Sequence, residues 1–116
     1  MDNKVTKEIV KKFEVLGINP RFQGYDFLRD AIEMVICNKG CTRKITKRVY
    51  PNIAEKYTTT TAGVERSMRY AIEKAFDTSV NINNYFENYL KANKDKVSNV
   101  QFISIVSEHI KNEIAK

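Results

Sequence analysis

Three charged residues, Glu65, Arg66 and Arg69, lie close together in the segment TTTTAGVERSMRYAIEKAF, residues 58–76. The apolar residues of this segment recur at steps of three and four, so they form one buriable stripe on a helix and the charges fall elsewhere. A helix that only packs against a core does not need three charged residues grouped in this way. We therefore expect Arg66 to face something outside the protein. The plainer alternative is an i,i+4 ion pair between Glu65 and Arg69, which stabilises an exposed helix by ~0.3–0.5 kcal/mol.

Four threonines precede this helix. A threonine hydroxyl accepts a hydrogen bond from the first free amides of a helix, so Thr60 or Thr61 is the predicted N-cap. The segment before the threonines, YPNIAEKY, predicts a short helix with Pro51 in its opening turn. Two helices separated by a few polar residues form a helix-turn-helix pattern, here residues 51–76. In such motifs the second helix, here 61–76, lies in the DNA major groove.

Helical spacing recurs along the rest of the chain. A first helix is predicted to end at Gly17, a second to include Tyr25 to Ile36, a short one to end near Tyr50, and a last one to run from about Val100 to Ala115. YFENYLK predicts a further short piece, whereas DTSVNINN is polar and rich in asparagine, and ANKDKVSN is a predicted loop. No strand is predicted. The expected fold class is all-α, a compact bundle of about six helices containing a helix-turn-helix, and residues 1–116 are predicted to form a single domain.

The net charge of the chain is concentrated in one region. Residues 39–74 hold nine basic and three acidic residues, so their net charge of +6 equals that of the whole chain. A concentrated basic region is the electrostatic footprint of a nucleic-acid binder, because neutralised phosphates release their counterions. A solvated basic surface, or a patch for acidic lipid or protein, is the alternative that composition leaves open.

Several other classes of function are not supported. No apolar run approaches the ~20 residues of a membrane helix, and the N-terminus lacks the pattern of a secretion signal, so we expect a cytoplasmic chain. Cys37 and Cys41 are the only cysteines, and two ligands do not make a zinc site; we expect two structural thiols at a helix terminus. His109, the only histidine, has no nucleophile or metal set beside it. We therefore expect no catalysis, no metal and no cofactor.

Beyond these patterns, the chain resembles a known family. YPNIAEKYTTTTAGVERSMRYAIEKAF is similar to the DNA-binding effector domain of stage zero sporulation protein A, a response regulator of spore-forming Firmicutes. GYDFLRDAIEMV, ITKRVYP and QFISIVSEHI also resemble the corresponding parts of that domain, so the likeness spans roughly residues 17–110.

This resemblance implies a transcription regulator that binds duplex DNA at a box related to TGTCGAA and contacts an RNA polymerase sigma factor. Arg66 matches an arginine that reads guanine, and Glu65 a glutamate that faces cytosine; the donors and acceptors of these bases suit both side chains. DNA-backbone contacts are expected from Lys47, Arg48, Thr59, Thr60, Thr61, Arg69 and Tyr70. Ser107 and Glu108 match positions thought to meet the sigma factor. The plainer interpretation of that last pair is two solvent-facing residues.

The sequence also departs from the family. Gly63 stands where the family has a second base-reading arginine, and glycine presents no side chain to a base. The family's phosphoacceptor receiver, which controls pairing of effector domains in tandem on adjacent boxes, has no counterpart here. We expect either an excised effector domain or a stand-alone regulator. The alternative function is a helical adaptor that binds a protein partner such as the sigma factor without reading DNA.

Overall fold

The chain is helical through most of its described length. The structure is a computed structural model that describes residues 3–38, 44–93 and 96–116. In chain order its elements are α1 (Asn3–Leu16), α2 (Gln23–Cys37), a π-helix (Ile45–Val49), α3 (Tyr50–Lys56), α4 (Thr61–Thr78), α5 (Val80–Tyr85), α6 (Glu87–Asn93) and α7 (Asn99–Ala115). These ranges contain no strand, which confirms the all-α class and agrees with the expected number of about six helices.

Helix α2 lies at the centre of the packing. It contacts α1, α3, α4 and α7, and its central residues are buried around most of the helix. The predicted apolar stripes of α4 and α7 are also buried, and their most completely enclosed members are Val64, Met68, Phe102, Ile103, Val106 and Ile110. Each such side chain contributes about 1.5–3 kcal/mol by leaving water, so the apolar stripes are the main source of stability.

The end of α1 confirms the termination predicted at Gly17. Gly17 has φ +80°, the N–H of Ile18 donates to the carbonyl of Phe13 at 3.0 Å, and the N–H of Gly17 donates to the carbonyl of Glu14 at 3.3 Å. This is the Schellman arrangement, in which a left-handed residue allows the last carbonyls of a helix to be satisfied. A Cβ atom at Gly17 would lie 2.8 Å from Cβ of Ser79. Glycine is therefore required here both by backbone conformation and by the approach of α5.

Helix α5 is an element that the sequence does not predict. Ser79 caps it by accepting a hydrogen bond from the N–H of Ile82 at 3.4 Å. The side-chain amide of Asn83 donates to the carbonyls of Phe76 and Ser79, both at 2.9 Å, and so binds the end of α4. This short helix is held on the core by the fully buried Ile82 and the partly buried Tyr85, together with the serine and asparagine hydrogen bonds at its start.

The expected short helix ending near Tyr50 is present as the π-helix Ile45–Val49, but it runs directly into α3. The path is continuous: the N–H of Tyr50 donates to the carbonyl of Ile45, and α3 begins at Tyr50 with Pro51 in its first turn. Pro51 has no N–H to donate, and it falls where the π-helical bonding pattern changes to the α-helical one. Pro51, which lacks this donor, therefore lies at a junction of two helix types where it can be accommodated.

Two further expectations concern single elements. Cys37 is an exposed free thiol at the last position of α2, as predicted for a helix terminus, whereas Cys41 lies outside the described residues. None of the described helices is long and apolar enough to cross a lipid bilayer.

Candidate nucleic-acid interface

The turn between α3 and α4 has a defined hydrogen-bonded geometry. The N–H of Thr59 donates to the carbonyl of Ala54 at 2.8 Å, and that of Thr58 donates to the carbonyl of Glu55 at 3.3 Å. This repeats the arrangement found after α1, but the left-handed position is occupied by Thr58, with φ 54°. A β-branched residue in that conformation is strained, so the turn is maintained by the packing of the two helices.

The start of α4 settles which threonine is the cap. Thr60 is extended, and its Oγ1 accepts a hydrogen bond from the N–H of Gly63 at 3.0 Å. Thr60 is therefore the N-cap, and Thr61 is the first residue of the helix. Thr59 and Thr61 are exposed, and the Thr60 hydroxyl proton is not used by the cap, so all three hydroxyls can donate to an external acceptor.

A buried carboxylate fixes the end of α3 to α2. Asp30 is 7% exposed and accepts hydrogen bonds from Nζ of Lys56 at 2.8 Å and from the hydroxyl of Tyr57 at 2.6 Å. The hydrogen bond to Asp30 raises the pKa of Lys56, and burial followed by that same carboxylate raises the pKa of Tyr57. Nothing in the local sequence marks Asp30 as buried. The structure shows that Asp30 anchors the helix-turn-helix to the central helix.

The other helix of the motif, α4, lies against the beginning of α2. A Cβ atom at Gly24 would fall inside van der Waals contact of the Ser67 carbonyl oxygen, and 2.9 Å from Cβ of Ala71. Next to this contact, the rings of Phe22 and Tyr70 meet edge to face with centroids 5.0 Å apart. Gly24 therefore permits a very close helix crossing, which fixes the orientation of α4.

The exposed face of α4 presents the two predicted base-reading residues. Glu65 and Arg66 are both exposed, and within the described chain neither side chain has a hydrogen bond or ion pair. The expected alternative, an ion pair between Glu65 and Arg69, is not formed in the structure. Both groups are thus available to an external donor and acceptor.

Arg69 instead binds the segment before α7. One guanidinium nitrogen of Arg69 donates to the carbonyl of Val97 at 3.2 Å, and the side-chain amide of Asn99 donates to the carbonyl of Glu65 at 2.9 Å. Arg69 is half-buried, and its other guanidinium nitrogens remain able to donate. The side of α4 that carries Glu65 and Arg69 is therefore flanked by the start of α7.

Beneath the same part of α4 lies a buried phenol. Tyr50 is 2% exposed, and burial, followed by the nearby Glu65 carboxylate, raises its pKa to about 12. The raised pKa extends the uncharged range of this phenol above its ordinary value of 10.0, so no negative charge forms under the exposed face at or below that pH.

The remaining residues predicted to contact the DNA backbone lie on the π-helix, which packs against α2 and α3, and on α4. Lys47 and Arg48 are exposed in the last turn of the π-helix that precedes α3. Tyr70 is 51% exposed, and Nζ of Lys74 lies 5.6 Å from its ring centroid. Two other cations of the basic region, Lys39 and Arg43, lie outside the described residues. Helix α4 carries three basic and three acidic residues, so the excess of exposed positive charge lies on the π-helix, which has Lys47 and Arg48 and no carboxylate.

The two residues of α7 that were predicted to meet the sigma factor, Ser107 and Glu108, differ in exposure. Glu108 is exposed, but Ser107 is 1% exposed and its Oγ has no hydrogen-bond partner in the described part of the chain. The interpretation of Ser107 and Glu108 as two solvent-facing residues is therefore wrong for Ser107, because that position falls on the buried side of α7. Only Glu108 can meet a partner without rearrangement.

The sequence predicts a turn in the segment GINPRFQG before α2, but it does not place any residue of that segment in the candidate site. Arg21, Phe22, Gln23 and Gly24 line one open groove together with Arg66, Ser67 and Tyr70 of α4. The single local signal was Gly24 itself, because a glycine in the first turn of a helix is expected where another backbone approaches closely.

A comparison with protein families identifies the chain. The family described as sporulation initiation factor Spo0A C terminal matches residues 9–110 of the 116. The chain belongs to this family of sporulation DNA-binding effector domains.

Proposed function

We propose that this effector domain is a sequence-specific reader of duplex DNA, with α4 in the major groove, Arg66 on guanine and Glu65 on cytosine. The observation that carries the proposal is the unpaired exposure of both side chains on a helix whose orientation is fixed on two sides, by Gly24 at one and by Asn99 at the other. Arginine offers two parallel donors to guanine O6 and N7, and a carboxylate accepts from the cytosine amine. A preorganised surface of this kind costs little conformational entropy on binding.

The exposed donors of α4, of the turn before it and of the π-helix are suited to positioning the protein on DNA. Phosphate contacts fix the register of a protein on DNA without reading its sequence. We assign this role to Lys47, Arg48 and the three threonine hydroxyls at residues 59–61, with Tyr70 and the free nitrogens of Arg69 beside them. The expected target is a box related to TGTCGAA.

The decisive experiment measures the binding of wild type and Arg66→Ala to duplexes varied at each position of the box. Arg66→Ala should lose about 1–3 kcal/mol of discrimination at one guanine and retain the wild-type melting temperature, because the side chain is exposed. Lys74→Ala is the matched control, since it removes an exposed cation from the same helix and should change no base preference. Unchanged discrimination in Arg66→Ala would refute the proposed register of α4.

A variant at Gly63 that should gain base discrimination can be measured in the same duplex-binding experiment. Gly63→Arg should sharpen preference at one further base pair, and Gly63→Ala should not. A Cβ at this position would approach only the hydroxyl oxygens of Thr59 and Thr60, at 3.0 and 3.2 Å, and no backbone atom of another element. If arginine adds no more discrimination than alanine, Gly63 does not face a base.

A protein-binding role is the second candidate, and the exposure of Glu108 on α7 favours it as a contact for a sigma factor. Charge reversal at Glu108 should reduce transcriptional activation while DNA affinity stays constant. An adaptor that does not read DNA would differ in its salt response. Specific DNA binding loses about 0.9 in log K for each neutralised phosphate per tenfold rise in salt, whereas an apolar protein interface does not.

A further inference from the structure

The loop between α1 and α2 provides a cation beside the proposed reading helix. Arg21 and Arg66 line the same open groove, and the other residues of that groove include no carboxylate. Arg21 is exposed, and its guanidinium has no hydrogen bond or ion pair in the described structure. The nearest acidic residue along α2, Asp26, is instead engaged by Arg29 at 3.5 Å.

This loop is held in a defined conformation. The N–H of Arg21 donates to Oδ1 of Asn19 at 2.9 Å, and the N–H of Phe22 donates to the Asn19 carbonyl at 3.2 Å. The ring of Phe22 contacts Tyr70, and the first turn of α2 packs closely against α4 at Gly24. The backbone of Arg21 is thus fixed relative to α4 before any ligand binds.

The two sides of α4 are covered by different segments. The start of α7 binds the side of Glu65 and Arg69, whereas the loop containing Arg21 contacts α4 through Ser67 and Tyr70. A helix lying in the major groove has a sugar–phosphate backbone on each side, because the groove is only about 12 Å wide. With α4 in that groove, the loop before α2 would face one of those two backbones.

We propose that Arg21 contacts a DNA phosphate on this side of α4 and acts as a positioning residue for the proposed reading helix. The inference rests on the proposed function, since it needs α4 to lie in the major groove. The chemistry is that of a guanidinium carried on a fixed backbone and a phosphate oxygen, a pair that forms charge-assisted hydrogen bonds. The contact would set the register of Arg66 on its base.

The test compares wild type, Arg21→Ala and Arg21→Lys on the box duplex and on a scrambled duplex over a salt series. Arg21→Ala should bind both duplexes roughly five- to tenfold more weakly at 0.1 M salt, and the slope of log K against log salt should fall by about 0.9, the value for one phosphate. Arg21→Lys should restore the slope. Ethylation of one backbone phosphate should weaken wild type and leave Arg21→Ala unaffected.

The matched control is Lys11→Ala, which removes an exposed cation from α1, where the side chain is 75% exposed. It should leave the salt slope unchanged. If Arg21→Ala keeps the wild-type affinity and slope while Arg66→Ala still loses discrimination, the Arg21 assignment is overturned and the proposed function stands. A change of preference at one base pair would also overturn it, because Arg21 would then read a base. If wild type shows no preference for the box, both proposals fail together.

Discussion

The contact between Gly24 of α2 and the backbone of α4 predicts that Gly24→Ala destabilises the domain. A Cβ atom there would overlap the Ser67 carbonyl oxygen and would lie 2.8 Å from the carbonyl carbon and 2.9 Å from Cβ of Ala71. Two of these three atoms belong to a helix backbone, which cannot rotate away as a side chain can. The two helices must therefore separate by about 1 Å, in an interior that is close-packed.

Two opposing contributions determine how much stability Gly24→Ala should lose. Adding a methyl group to a well-packed contact costs about 1–3 kcal/mol and occasionally more. Replacing glycine by alanine inside a helix regains up to ~1 kcal/mol of backbone entropy, and less in the first turn, where Gly24 lies. The contact with backbone atoms places the cost at the upper end, so we expect a net loss of about 1–3 kcal/mol. For a domain of this size the melting temperature should fall by roughly 5–15 °C.

Urea denaturation followed by far-ultraviolet circular dichroism measures this loss, and Gly63→Ala is the matched control. Gly63 is also in the first turn of a helix, but its Cβ would meet only threonine hydroxyls, at 3.0 and 3.2 Å. Gly63→Ala should therefore be neutral or stabilising by up to ~1 kcal/mol. If Gly24→Ala is as stable as wild type, or if the two variants lose equal stability, the close approach of α2 to α4 does not determine the packing.

Two further predictions concern backbone strain and a buried phenol. Thr58→Gly should stabilise the domain by about 0.5–1 kcal/mol in urea denaturation, because φ 54° is strained for threonine and unstrained for glycine. Gly17→Ala, at φ +80°, should destabilise the domain for the same reason. A Gly17→Ala variant more stable than wild type would contradict the strain argument. The pKa of Tyr50 is raised from 10.0 to about 12, so between these pH values the unfolded chain loses the Tyr50 proton while the folded one keeps it. Stability should then fall by about 2–3 kcal/mol as pH rises through this window, and Tyr50→Phe should remove that part of the fall; identical pH profiles would show that the phenol is not shielded.

Local periodicity was sufficient to predict the main helices and their ends. Helical spacing of apolar residues is a property of neighbours three and four apart, so α1, α2, α4 and α7 could be found without knowing what covers them. Caps are equally local, and Thr60 and Gly17 do what their residue types predict. The resemblance to a family added the roles of Glu65 and Arg66, whose exposure the structure shows and whose base contacts stay predictions.

The features that only the tertiary structure could decide all depend on which helix covers which face. Asp30 is buried because α3 lies across α2, Ser107 because of the orientation of α7, and Arg69 is tethered because Val97 passes beside α4. Periodicity identifies an apolar face but not its partner, since the partners are dozens of residues apart in the chain. The groove that places Arg21 beside Arg66 depends on the same long-range contact, because it exists only where α2 meets α4 at Gly24.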